Sequence, residues 1–317
     1  MTLSERPATP EHTEADLKAI RTVFDRTAPH RMPQCLYTFH TMRGALKGLF
    51  PESPVFIFSC NLPDGHGVFL TVRIVKTIAP ELSFDTSSMA KNFNEFQDIL
   101  DEMFDKAHKR FPQLLSGEQR FMFVGQKPLQ DCYMNYINTK QNGIYKPQIY
   151  PTYLYYMNQE QQEKVLQLDL PLPEGYYFDE TNPEVDHKII TKTWIHAKEG
   201  DYEQTRSKLT NLPSVLIRHE KDGTVAFEMC HPCEYQNHLF VLPEHRRRGL
   251  GNAVEMRLSQ LCVKNGIIPY KTVEFLNKPV VDGSDRHSLW TRWNYEDGSP
   301  VCLEYRQFYP LDKFPSS

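Results

Sequence analysis

Residues His238–Gly251 read HLFVLPEHRRRGLG. An apolar run rich in strand formers ends at Pro243; a turn follows with three arginines and two glycines. The next residues predict a helix: Val254, Leu258, Leu261 and Cys262 recur at +4, +7 and +8 on one face, and Asn265-Gly266 supplies its stop. The first turn of a helix carries four backbone N–H groups without intrahelical partners, and the macrodipole adds about half a positive charge there. Gly249 and Gly251 have no Cβ, and Asn252 and Ala253 are small, so an anion can approach those amides. Strand, cationic turn and bare helix start together predict a phosphate or pyrophosphate site. The dipole alone is worth only about 0.3–1 kcal/mol, so several amides and one or two arginines must act together.

Outward from this stretch, both halves of the chain alternate strand and helix patterns. Towards the N-terminus of the site, Val215–His219, the turn Lys221-Asp222-Gly223 and Val225–Cys230 read as a hairpin, and 234–242 as the next strand. Residues 183–197 predict a helix, 268–275 a strand, 284–293 a helix and 301–308 a closing strand. In the first half, 11–26, 41–50 and 92–110 read as helices; the last has Phe93, Phe96, Leu100, Met103 and Ala107 at spacings of three and four. Val55–Cys60 and Val68–Val75 flank turn chemistry at Asp64-Gly65 and read as a second hairpin. Residues 126–173 are dense in Gln, Asn, Tyr and Pro, the composition of a connector. The expected division is an α/β domain over 1–125, a connector over 126–173 and a second α/β domain over 174–317.

With 317 residues, about two domains are expected, each long enough to bury a core. The formal charge of −4 argues against a surface built throughout for nucleic acid, and 40% hydrophobic residues argue against disorder. Seven cysteines without regular spacing suit a reducing, intracellular compartment. No run of 18 apolar residues predicts a membrane span. The first 17 residues hold four acidic side chains and one arginine, unlike an Arg-rich transit peptide, so a cytoplasmic location is expected.

The phosphate ligand is narrowed by what is missing. There is no Gly-x-x-x-x-Gly-Lys-Ser/Thr and no Gly-x-Gly-x-x-Gly after a strand. Arg246-Arg247-Arg248-Gly249-Leu250-Gly251 instead follows the pattern Arg/Gln-x-x-Gly-x-Gly/Ala and is preceded by Val241-Leu242-Pro243-Glu244. This motif resembles the acyl-CoA-binding motif of the GNAT N-acyltransferase superfamily. From Tyr177 to Phe308, and at GALKGLFPESPVFIFSC and KNFNEFQDILDEMF in the first half, the chain is more specifically similar to the glycine N-acyltransferase family. The resemblance implies an α/β (α+β) fold of two GNAT-like domains, each a mixed central sheet flanked by helices, with the acyl-CoA site in the C-terminal one. It implies acyl-CoA or acetyl-CoA as co-substrate, pantetheine along Leu239, Phe240, Val241 and Leu242, and the pyrophosphate on the amides of Arg247 to Gly251. Arg246, Arg248, Leu250 and Asn252 complete that cradle, and Asn277 matches a position that contacts cofactor. It also gives mitochondria as the alternative compartment.

Attack of an amine on a thioester needs a neutral amine, a proton acceptor and stabilisation of the oxyanion. The glycine-acylating relatives use a glutamate shortly before the Leu-Pro-Glu turn. Counting back from Leu242 without gaps reaches Tyr235; a bulge in the strand brings Glu234 into line instead. His238 is the rival base, because the ordinary imidazole pKa of about 6.5 suits proton transfer near neutrality. Where many GNAT enzymes carry a tyrosine acid this chain has Trp290, which leaves Tyr295 as the candidate. Cys230-x-x-Cys233 lacks a second ligand pair, so no metal is expected. The expected activity is transfer of an acyl group from acyl-CoA to glycine or a similar small amine, with a small-molecule donor and acceptor as the only partners. The alternatives are a catalytically silent acyl-CoA-binding or scaffold protein and, more remotely, nucleic-acid binding through the arginine cluster.

Overall fold

A computed structural model describes residues 14–27, 33–75, 79–140, 143–194, 197 and 200–315. The chain divides into two compact units, Met1–Ile149 with Glu304–Ser317, and Tyr150–Leu303. This division differs from boundaries at 125 and 173. The stretch expected as a connector carries helix α4 (Lys127–Lys140), strand β5 (Tyr145–Tyr156) and helix α5 (Gln159–Leu166). Four of its tyrosines, Tyr133, Tyr136, Tyr145 and Tyr155, are buried, Tyr133 and Tyr155 wholly. Aromatic residues favour strands by packing on a pleated surface, and that outweighs the loop-like Gln, Asn and Pro content.

In the first unit, helices α1 (Glu14–Arg26) and α2 (Leu36–Leu46) precede a hairpin of β1 (Val55–Asn61) and β2 (Gly67–Arg73). Residues 11–13 of the first expected helix lie outside the described residues. Strand β3 (Glu81–Thr86), helix α3 (Gln97–Arg110) and strand β4 (Phe121–Gln126) follow. The sheet order is β1-β2-β3-β4 and then β12 (Leu303–Pro310). Strand β2 is buried on both faces, as its unbroken GVFLTVR run requires. Phe69 joins Ile20, Val23 and Met42 on the α1/α2 side, whereas Val68, Leu70 and Val72 join Phe84, Phe104, Phe123 and Tyr133 in the larger core.

In the second unit the order is β5-β10-β9-β8-β7-β6. The members are β6 (Tyr176–Asp179), β7 (Ser214–His219), β8 (Gly223–Cys230), β9 (Gln236–Val241) and β10 (Tyr270–Glu274); the two-residue β11 (Thr291–Arg292) pairs with β5. Helices α6 (Pro183–Thr193) and α7 (Asp201–Asn211) cover one face over Phe227 and Met229. Helix α8 (Leu250–Lys264) covers the other, where Cys262 meets Cys230 and Ser259 accepts a hydrogen bond from Gln236. Helix α9 (Lys278–Arg286) starts six residues before the expected 284 and ends well before Trp290. Pro279 sits in its first turn, where a missing N–H costs nothing.

Candidate active site

Strands β9 and β10 are parallel, joined through α8, and form only one registered pair, Lys271↔Gln236. Beyond it, no pair joins β9 to β10 among the described residues. The cause is local to β9. Against β8, the register runs Met229↔Asn237 and then Phe227↔Phe240, so His238 and Leu239 together face Glu228. This two-against-one bulge bends the strand and raises its twist. It leaves the β10-facing backbone edge of β9 open to an extended ligand, which can pair with it as another strand would. Leu239 is exposed beside that edge. Arg246 folds back, its Nε donating to the Val241 carbonyl at 3.0 Å while its guanidinium lies 5.6 Å from the Phe240 ring centroid.

After β9 comes a single turn of 3₁₀ helix, Pro243–His245, and then the arginine–glycine turn into α8. Gly249 has φ 79° and precedes the helix, the left-handed conformation only glycine adopts freely. Gly251 is different: an added Cβ would meet only the Val241 side chain, at 3.6 Å. The protein itself therefore leaves room for a methyl there. The first backbone bond into the helix runs from Ala253 N–H to Gly249 O at 3.1 Å. The N–H groups of Arg248 to Asn252 have no acceptor among the described residues. Arg247, Arg248 and Gly249 are exposed. The Asn252 side chain is engaged, its Oδ1 3.1 Å from His287 Nε2, so its contribution to an anion is its main-chain N–H.

Backbone strain marks the same region. The non-glycine residues with left-handed φ among those described are Glu234 (62°), His238 (61°) and Arg247 (58°). Each costs on the order of 1–3 kcal/mol and persists only where the surroundings enforce it. Glu234 lies not in the strand but in the turn before it, fully buried, with its N–H donating to His231 O at 2.6 Å. The bulge bears directly on the count from Leu242. Its extra residue lies between Asn237 and Phe240, so counting through it moves the position from Tyr235 to Glu234.

The other candidates separate. His238 is packed against Phe227, Phe240 and Trp194, and burial, reinforced by the Lys208 charge, pushes its pKa down to about 4. Its Nδ1 is buried without a hydrogen-bond partner. Tyr295 is not at a helix end; it opens a tight turn, its N–H donating to Ser299 O at 2.8 Å, and burial pushes its pKa up. Asn277 stands at the start of α9, but its side chain does not cap the helix. Neither Cys230 nor Cys233 is in a disulfide, and the Cys230 Sγ lies 3.5 Å from that of Cys262.

A buried charge network at the base of the split has no counterpart in the sequence expectations. Lys271, the β10 residue that pairs with β9, is bound to Glu255 of α8, and its Nζ lies 4.5 Å from the Trp290 ring centroid. Trp290 Nε1–H donates to the second Glu255 oxygen at 3.2 Å. Trp290 therefore orients a carboxylate instead of supplying an acid. Glu228, opposite the bulge, is buried with Oε2 unpartnered, and burial first, then the Glu255 charge, raises its pKa well above the usual range. The only sequence signal for these residues is a charge within an apolar pattern: Glu228 in VAFEMC, Glu255 in NAVEM and Lys271 in IPYKTV.

A β-α-β unit with a split parallel pair, entered through a bare cationic turn, following a helix pair and an antiparallel meander, is the arrangement of the GNAT fold. Two solved structures share the architecture over nearly the whole chain. A Drosophila protein matches with a TM-score of 0.69 at 13% identity, covering 94% of this chain and 97% of that one. A tandem GNAT protein from the clavulanic acid biosynthesis pathway, solved without AcCoA, matches with a TM-score of 0.52 at 13% identity, covering 95% and 97%. The chain thus has the tandem GNAT fold. No family model and no curated protein matches it.

Proposed function

We propose that the protein is an acyl-CoA-dependent N-acyltransferase acting on glycine or a similar small amine. The observation that carries this is the single-pair opening between β9 and β10 beside the unpaired amides of Arg248 to Asn252. The opening suits an extended pantetheine, which pairs with the edge of β9 at Leu239 to Leu242. The amides, with Arg247 and Arg248, suit the diphosphate. Asn277 is proposed as a further cofactor contact.

The reaction is direct attack in a ternary complex. The amine nitrogen bonds to the thioester carbon, the C–S bond breaks, and coenzyme A leaves as a thiolate. Glu234 takes the ammonium proton, directly or through a water. His238 is the weaker candidate, because an imidazolium of pKa about 4 holds an amine proton poorly; its neutral ring suits a hydrogen-bond role. Tyr295 is proposed as proton donor to the thiolate, whose pKa near that of Cys, about 8.5, makes a strong acid unnecessary. The cytoplasm is the proposed location; no helix among the described residues is long and apolar enough to cross a membrane.

Two measurements test the proposal. Calorimetric titration with acetyl-, benzoyl- and longer acyl-CoAs is expected to show saturable one-site binding; no binding at millimolar concentration overturns it. Free-thiol release with glycine and a panel of amines then separates an enzyme from a silent acyl-CoA-binding protein. The open role of Tyr295 favours keeping that second reading in the test.

A further inference from the structure

We propose that His219, Asp222 and His245 form a binding site for a divalent transition-metal ion of the zinc class. His219 and Asp222 flank the turn of the β7–β8 hairpin, and His245 ends the 3₁₀ turn that delivers the chain to Arg246. One ligand atom from each lies within 4.8 Å of the other two.

Three features point to a shared ion rather than a chance cluster. First, His219 Nδ1 lies 2.6 Å from Asp222 Oδ2, yet that buried nitrogen has no partner in hydrogen-bonding geometry. The pair offers one imidazole nitrogen and one carboxylate oxygen to a common cation. Second, His245 Nε2 is 3.5 Å from the same Asp222 oxygen. Ligands about 2.0–2.2 Å from a tetrahedral zinc ion are separated from each other by about 3.3–3.6 Å. The 2.6 Å pair must open by under about 1 Å to reach that spacing, and the Asp222 side chain, half exposed in a turn, is free to swing. Third, the other nitrogen of His245 is already held: Tyr176 Oη lies 2.9 Å from Nδ1. A ligating histidine almost always engages its second nitrogen with a hydrogen-bond partner; with Nδ1–H donating to the Tyr176 oxygen, the Nε2 lone pair is left for the metal. Two imidazoles and one carboxylate leave a fourth position for water, a donor set that suits zinc better than a hard, oxygen-seeking cation.

The ligands come from two turns about two dozen residues apart, so a bound ion pins the hairpin turn to the residue immediately before the arginine–glycine loop. The site was not foreseen in the sequence, where Cys230-x-x-Cys233 was the only spacing that suggested a metal.

The test needs no acyl-CoA and is independent of the proposed activity. The full-length protein, stripped with chelator, is titrated with Zn²⁺ by calorimetry and with Co²⁺ by visible absorption. One equivalent of each is expected to bind, with the d–d bands of a four- or five-coordinate nitrogen/oxygen cobalt site and a rise in melting temperature on zinc addition. Asp222→Ala, on an exposed turn, and His219→Gln are expected to abolish all three signals while the metal-free melting temperature stays at the wild-type value. Absence of binding in the wild-type protein, binding retained in Asp222→Ala, or a cobalt–thiolate charge-transfer band, which would assign cysteine ligands, each overturns the proposal.

Discussion

Each unit contains one parallel strand pair joined by a crossover helix, and the two pairs are built to opposite ends. In the first unit β3 and β4 are registered through four successive pairs, Glu81↔Met122 to Phe84↔Gly125. The seam is tight: a Cβ at Gly125 would come within 2.7 Å of the Phe84 carbonyl oxygen. The turn leaving β3 consumes its own amides, with Ser88 N–H on Thr86 Oγ1, Ala90 N–H on Ser88 Oγ and Asn94 N–H on Asn92 Oδ1. In the second unit β9 and β10 share one pair, and the turn leaving β9 has glycines and arginines where the first has serine, threonine and asparagine. The same topology thus yields a closed core in one half and an open, donor-rich cleft in the other. The switch lies in one bulge and about ten turn residues.

That contrast can be attacked directly, beginning with the largest effect. Glu234→Gln is expected to lower turnover by about 10²–10⁴-fold with acyl-CoA affinity unchanged, as read by steady-state thiol release beside calorimetry; unchanged turnover returns the base role to His238 or to water. Next come two substitutions that should act on different observables. Phe84→Ala empties part of the closed seam and should cost about 3–5 kcal/mol of stability, with no change in acyl-CoA affinity per folded molecule. Gly251→Glu should do the reverse: near-wild-type stability, since the protein leaves room there, and about 10- to 100-fold weaker acyl-CoA binding, the scale of lost charge-assisted hydrogen bonds. Gly251 is a cleaner probe than Gly249, whose positive φ would add backbone strain to any replacement.

Titration sharpens the comparison further. Asp85, at the end of β3, accepts a hydrogen bond from Thr38 N–H at 2.7 Å, yet burial pushes its pKa up to about 7. The folded state then holds a proton that the unfolded chain releases near pH 4, so this group's stabilisation is full below about pH 4 and is lost as pH rises through about 7. His238 in the second unit has the opposite sign: burial favours its neutral form, and stability is lost as pH falls from about 6.5 towards 4. Denaturant melts of Asp85→Asn between pH 4 and 8 should lose the falling limb, on the order of 4 kcal/mol across the window. His238→Gln should lose the rising one. Parallel pH profiles of variant and wild type would refute either assignment. The smallest expected effect is that of Arg247→Ala: roughly two- to fivefold weaker acyl-CoA binding, the scale of an exposed ion pair, and a reduced dependence of that binding on salt.

Much of the site was legible because its chemistry is contiguous. The run His238–Gly251 holds strand, turn and helix start in chain order, and every backbone donor in it follows from local geometry. The antiparallel hairpins expected at Val55–Cys60/Val68–Val75 and Val215–His219/Val225–Cys230 were equally visible, since period-two alternation and turn residues are local signals, whereas strands β3 and β4 of the first half were not read from the sequence. Residues 126–173 misled for the opposite reason: tyrosines in β5 and α4 earn their order from burial, which composition does not display. Trp290 falls within the helix expected over 284–293, but that helix runs from Lys278 to Arg286 and the tryptophan donates to Glu255 beyond its end.

By itself, then, the sequence determined the succession of strand, cationic turn and helix start at His238–Gly251, because those residues are neighbours along the chain. Tertiary structure alone decided that β9 and β10 part after one pair, that β9 bulges at His238–Leu239 against Glu228, and that Glu228, Glu255 and Lys271 meet at the base of the opening. It alone brought His219 and Asp222 to His245. Register, burial of charge and convergence of ligands are set by partners distant in the chain, and no local pattern encodes them.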